Sequence, residues 1–190
     1  SDLPQARSRK GAGSERLSQG SAFDLIEEVV PATHSGEGLD VEVWYPADMS
    51  ATDDAALGQP IEAFVKPEAD HEQFVGLLAA AHDPGTRRQS SSVLAAPGAD
   101  GPWPVILFSH CHSCTRFSSY SVAEYLASHG FAVVAPGHQG NTLFDELADM
   151  NAPLNGELLR TRREDLGFTL DTVLDASHPD VPEQVRGMFD

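Results

Sequence analysis

Six consecutive residues, Ser109 to Cys114, read Ser-His-Cys-His-Ser-Cys, and each carries a hydroxyl, an imidazole or a thiol. Zinc binding would draw on Cys111 and Cys114 with His110 and His112, but four ligands on one tight turn rarely converge tetrahedrally. Thiol redox chemistry would use the C-x-x-C spacing. That motif usually opens a helix in a thioredoxin-like context, which the flanking segments do not resemble. The chain holds only two cysteines, so no disulfide framework is built from them. They are read as small turn residues, with a local disulfide and a metal site as alternatives. The serines near this run are Ser109, Ser113, Ser118, Ser119 and Ser121. None sits in a strand-to-helix elbow, and a helix N-cap is the expected role for one of them. Asp145, Glu146 and Asp149 lack the alternating spacing and glycine of a calcium loop and read as a solvated face.

The run is framed by elements that would hold it. Pro104 to Phe108 is a short branched apolar stretch, as expected of a buried parallel strand. Phe117 to His129 has helical length, with Tyr120, Ala123, Tyr125, Leu126 and Ala127 on or near one face. His129 ends that helix, where an imidazole suits the negative pole of the dipole, and Gly130 stops it. Phe131 to Ala135 is a second buried strand, completing a right-handed parallel unit. Upstream, Phe23 to Val30 and Leu39 to Tyr45 read as strands. In the second, Val41, Val43 and Tyr45 alternate with Glu42 and Trp44, which predicts one wetter face. Ile61 to His82 is helical in pattern, with Phe64, Phe74, Leu77 and Leu78 toward a core. Gly85 to Gly101 reads as a low-order connector. Leu143 to Asn155 is an acidic loop with room for a short helix. Leu158 to Asp175 is a helix whose periodic positions are Leu159, Arg163, Leu166, Leu170 and Val173. Ser177 onward is a turn and connector. Residues 1–22 form a polar arm expected to be flexible.

Three segments carry a family resemblance. PVILFSHCHS resembles the apolar strand and Ser-His-Gly turn of the α/β-hydrolases, in particular the branch holding platelet-activating-factor acetylhydrolases, predicted dienelactone hydrolases and cutinase-like polyester hydrolases. YLASHGFAVVAP resembles the helix end and strand that follow there, and GHQGNT the next loop. LDVEVWYP and REDLGFTLDTVL extend the likeness over most of Phe23 to Asp175. The resemblance implies an α/β fold with a mostly parallel twisted sheet and helices on both faces. Residues 23–190 would be the incomplete N-terminal part of that domain, completed by another chain. It also implies a serine ester hydrolase that uses no cofactor and no metal. The backbone N–H of His112 would be one donor of the oxyanion hole. Cys111, Ser113, Leu143 and Phe144 would line the substrate pocket, while His110 and His138 would support the loop. Cys111 replaces the family's usual glycine. No G-x-S-x-G elbow occurs, so the nucleophile and the acid and histidine that follow it in the family's order are expected on a second polypeptide. The contrasting expectation is a non-catalytic binding or regulatory subunit that keeps the scaffold.

Composition narrows the partners. Twelve basic against 29 acidic residues give a net charge of −17, which repels phosphate backbones and anionic membrane surfaces alike. No apolar run approaches the ~20 residues that span a bilayer. The polar start SDLPQARSRK reads as a mature or engineered terminus and is compatible with secretion. The ester itself, whether lipid, polyester or lactone, is left open.

Overall fold

The computed structural model describes residues 21–31, 38–48, 50, 60–66, 68–81 and 89–190, with only the backbone for 21–31. The expected flexible arm lies almost wholly outside the described residues. Five strands form one mixed sheet in the order β3-β1-β2-β5-β4. These are β1 (Ser21–Pro31), β2 (Gly38–Pro46), β3 (Ser92–Leu94), β4 (Val105–Leu107) and β5 (Ala132–Pro136). β1 with β2, and β2 with β5, are antiparallel; β1 with β3, and β4 with β5, are parallel. The helices are α1 (Glu68–Ala80), α2 (Tyr120–Ala127), α3 (Leu143–Leu147) and α4 (Gly156–Leu174).

Alternation along the strands divides the core in two. Val41, Val43, Tyr45, Ala132 and Val134 face one cluster with Val173 of α4, Val181 and Val185. Trp44, Val133 and Ala135 face the other, with Phe64, Phe74, Phe117, Ala123 and Ala127. Both faces of β2 are therefore covered, and the expected wetter face is absent: Glu42 is 0% exposed. Its carboxylate meets the Arg116 guanidinium at 3.3 Å. Arg116 also donates to the Phe64 carbonyl at 3.1 Å.

Other expectations shift in detail. The helix foreseen over 61–82 splits into a 3-10 turn, Ile61–Phe64, and α1; Lys66 precedes a proline, which disfavours helical backbone. Phe64 and Phe74 are buried, but Leu77 is exposed. The supposed connector before Gly101 contributes β3, tied to α2 through the buried Glu124. That carboxylate accepts from the Ser91 amide and the Ser92 hydroxyl, both at 2.8 Å. On α2 it is Glu124, not Tyr125, that joins Ala123 and Ala127 inside. Ser119 occupies the N-cap position of α2 without a capping hydrogen bond. Gly130 has the positive φ expected of a helix stop, and the Trp103 ring lies 3.2 Å from where a Cβ would sit.

β4 is only half-buried and lies at the edge of the sheet, one flank mostly open among the described residues. Met188 to Asp190 reach that flank. Trp103 N–H donates to Met188 O at 2.7 Å, Asp190 N–H to Trp103 O at 2.9 Å and Val105 N–H to Asp190 O at 3.1 Å. These bonds form a parallel bridge between Trp103 and Phe189. By strand alternation the N–H and C=O of Leu107 point to the same open flank.

Candidate functional site: the turn at the end of β4

The Ser109–Cys114 run leaves the C-terminal end of β4, the end at which open α/β sheets place their ligands. Cys111 to Cys114 closes as a tight turn, with Cys114 N–H donating to Cys111 O at 3.2 Å. Ser113 takes the positive φ of 57°, as the third residue of a type II turn does. Cys111 and Cys114 form a disulfide across the turn, with Cα atoms 5.2 Å apart. This corrects their reading as merely small turn residues. Among the described residues no cluster suited to a metal ion occurs. The far side of the turn is stitched to the β5–α3 loop. Ser113 N–H donates to Asn141 O and Leu143 N–H to Cys114 O, both at 3.2 Å. Thr142 and Asp145 form a capping box that starts α3.

The proton directions in this region follow from groups that can only donate. Arg162 donates to Ser109 Oγ at 2.8 Å, to Asn141 Oδ1 at 2.9 Å and to the His110 carbonyl. A guanidinium has no acceptor. Ser109 Oγ also lies 2.9 Å from His138 Nε2. His138 Nδ1 donates to the Asp165 carboxylate at 2.7 Å, which as an anion only accepts. Likewise Asn141, its oxygen facing Arg162, turns its amide nitrogen to His112 Nδ1. The His138 N–H donates to His110 Nε2 at 3.1 Å. That leaves His110 Nδ1–H to donate to the Cys111 carbonyl at 2.8 Å. Burial first, and then the nearby His138 and Arg162, holds the His110 pKa down at about 4. The ring is thus neutral near pH 7, as its accepting Nε2 requires.

The consequence falls on one peptide unit. The Cys111 carbonyl accepts two hydrogen bonds, from His110 and from Cys114, which polarises the peptide whose N–H belongs to His112. Among the described residues no acceptor takes that His112 N–H. The His112 side chain itself is exposed.

The residues expected at the site scatter somewhat. Cys111 is exposed and Ser113 half-buried; the Ser113 hydroxyl donates to Glu146 at 3.0 Å and accepts from Asn151 at 2.7 Å. Leu143 touches the turn through its backbone. Phe144 leans the other way, onto Phe74, with ring centroids 6.4 Å apart. An apolar hollow of about 40 Å³ lies between β4 and α2, lined in part by Trp44, Ile106, Phe108 and Val122, and none of the expected pocket residues lines it. His110 and His138 are buried.

Sequence reasoning weighed Ser109 without giving it a site role and missed Asn141, Arg162 and Asp165. Ser109–His138–Asp165 has the spacing of a nucleophile, base and acid relay. Two features set it apart from one. Ser109 lies on a strand-to-turn passage and not in a strand-to-helix elbow. Arg162 also occupies the oxygen that would attack. The available signal for Arg162 and Asp165 was their i, i+3 spacing on α4 with Leu158 and Thr169, the face that proves buried.

Residues 78–155 match the family model for chlorophyllase. That segment includes the turn, β5 and α3, and ends before α4. No curated protein matches the chain in sequence. Among solved structures, the chain superimposes on the ferulic acid esterase from Streptomyces cinnamoneus with a TM-score of 0.60 at 21% identity, over 88% of this chain and 50% of that one. The chain therefore spans about half the length of its structural relative. A mixed sheet with helices on both faces, a β4–turn–α2–β5 core and this superposition make it an α/β-hydrolase by fold.

Proposed function

We propose that this chain is part of a serine-dependent carboxylic ester hydrolase and that it supplies the oxyanion donor at His112. One observation carries the reading: an unclaimed backbone N–H, on a peptide polarised by two donors, stands at the C-terminal end of β4. When a serine attacks an ester carbonyl, the oxygen gains charge as the tetrahedral intermediate forms. A preorganised amide stabilises that charge without having to reorient. Cys111 and Ser113 then flank the acyl group, with Leu143 forming part of the wall; Phe144, turned onto Phe74, stands outside it. The nucleophile elbow and the remaining triad members lie on a second polypeptide segment, which adds strands to the open flank of β4. Two facts favour that arrangement. Met188–Asp190 already sit in parallel register on that flank, and an apolar strand edge left open invites pairing.

The test removes the donor and keeps the turn. Proline suits the second position of such a turn and lacks an N–H. His112→Pro in the complete enzyme is expected to lower kcat on p-nitrophenyl esters by about 10²–10³-fold. His112→Ala, which retains the amide, should stay near the parent. Equal kcat for His112→Pro and parent would remove His112 from the mechanism. Ester hydrolysis by these 190 residues alone, abolished by Ser109→Ala, would end the divided-site reading and make Ser109 the nucleophile.

A further inference from the structure

Arg162 touches three separate segments and has no role in the mechanism above. Its guanidinium reaches the end of β4 at Ser109, the entry to the turn at the His110 carbonyl, and the β5–α3 loop at Asn141. The last two flank the peptide that bears the His112 N–H. Asn141 then continues to the His112 ring and, through its carbonyl, to Ser113 N–H. A single rigid fork thus fixes the turn from below at both ends. Because it only donates, it also orients the Asn141 amide, whose nitrogen then faces His112.

We infer that Arg162 is the positioning residue of the oxyanion donor, holding the Cys111–His112 peptide in the orientation that the transition state needs. The inference rests on the ester-hydrolase reading of the turn and adds to it a residue on α4. Arg162 does not touch substrate. It acts through the His110 carbonyl and Asn141, so its loss should appear in turnover and not in ground-state binding. Lysine cannot replace it, since an ammonium offers no planar fork to three acceptors. The nearest carboxylate, Asp165, is engaged by His138, which leaves the guanidinium's hydrogen bonds to neutral groups.

The experiment uses the complete enzyme, this chain together with the segment bearing the nucleophile, and p-nitrophenyl butyrate. Arg162→Lys and Arg162→Gln are expected to lower kcat by about 10- to 100-fold, the scale of a small misplacement of catalytic groups. KM should stay within about threefold, and a phenylboronic acid inhibitor should weaken in parallel with kcat. Methylguanidine should restore part of the lost turnover to Arg162→Ala. By ¹⁵N NMR, the His112 ring should pass from one tautomer to a mixture in Arg162→Gln, because glutamine can accept as well as donate. Should Arg162→Ala fail to fold, the lysine and glutamine variants and the imidazole spectra decide the matter. Parent-like kcat in Arg162→Lys, or a loss confined to KM, overturns the inference alone. A complete enzyme with no ester hydrolysis overturns the underlying reading, and the inference with it.

Discussion

Two half-buried arginines anchor this molecule, and they are partnered differently. Arg116 faces carboxylates, Glu42 at 3.3 Å and Asp40 at 3.8 Å, and its side chain is 11% exposed. Arg162 faces a hydroxyl, a carbonyl and an amide oxygen. The first is a neutralised ion pair that joins β2 to the start of α2. The second is a cation set among neutral acceptors beneath a turn whose purpose, in the proposed chemistry, is to meet developing negative charge. Compensated charge holds the architecture, and charge with few anions nearby stays where the reaction would use it.

The sharpest way to break this contrast is to remove each cation in turn. Arg116→Met strips the guanidinium from a fully buried carboxylate and is expected to cost about 3–5 kcal/mol of stability in urea denaturation. Arg162→Lys should cost only about 1–2 kcal/mol, the scale of lost hydrogen bonds. Similar losses for the two would erase the distinction. Acid separates them next. His110 titrates at about 4 in the folded chain against an ordinary value near 6.5. Its folded pKa is lowered, so its stabilising contribution is whole above 6.5. Between 6.5 and 4 the unfolded chain binds the proton and the folded chain does not, so stability falls by at most about 1.4 kcal/mol per pH unit. Below 4 the loss from this group stops growing. His110→Asn should flatten this part of the profile, read as urea midpoints from pH 7 to 4. The disulfide is tested last. Reduction of the Cys111–Cys114 bond should lower stability by about 2 kcal/mol on the chain-entropy scale for so short a loop. It should do so without moving the Arg116 side of the molecule, as followed by hydrogen exchange.

Much of the scaffold was legible because apolar periodicity reports packing. The Pro104–Phe108 run, the helix before Gly130 and the Phe131–Ala135 run correspond to β4, α2 and β5. The same signal failed where the buried face is polar. On α4 the apolar positions point to a stripe through Leu159, which is 59% exposed. The face that packs inward runs through Leu158, Arg162, Asp165, Thr169 and Thr172, rotated by about one residue. Glu42 and Glu124 misled for the same reason, since each has a partner 32 or more residues away. β3 has only three residues and no pattern to read. The turn was recognisable by its likeness to a family and its local disulfide stood among the alternatives, but the arginine beneath it depends on contacts between distant segments.

The inward face of α4 has a practical meaning for anyone reshaping the protein. A helix whose inner surface holds arginine, aspartate and threonine is seated by the directional contacts of Arg162 and Asp165 and by apolar packing at Leu158, Phe168 and Val173. Replacing that stripe with leucines, a routine recipe for a tougher variant, would leave the sheet standing while the ground gave way under the bend above it.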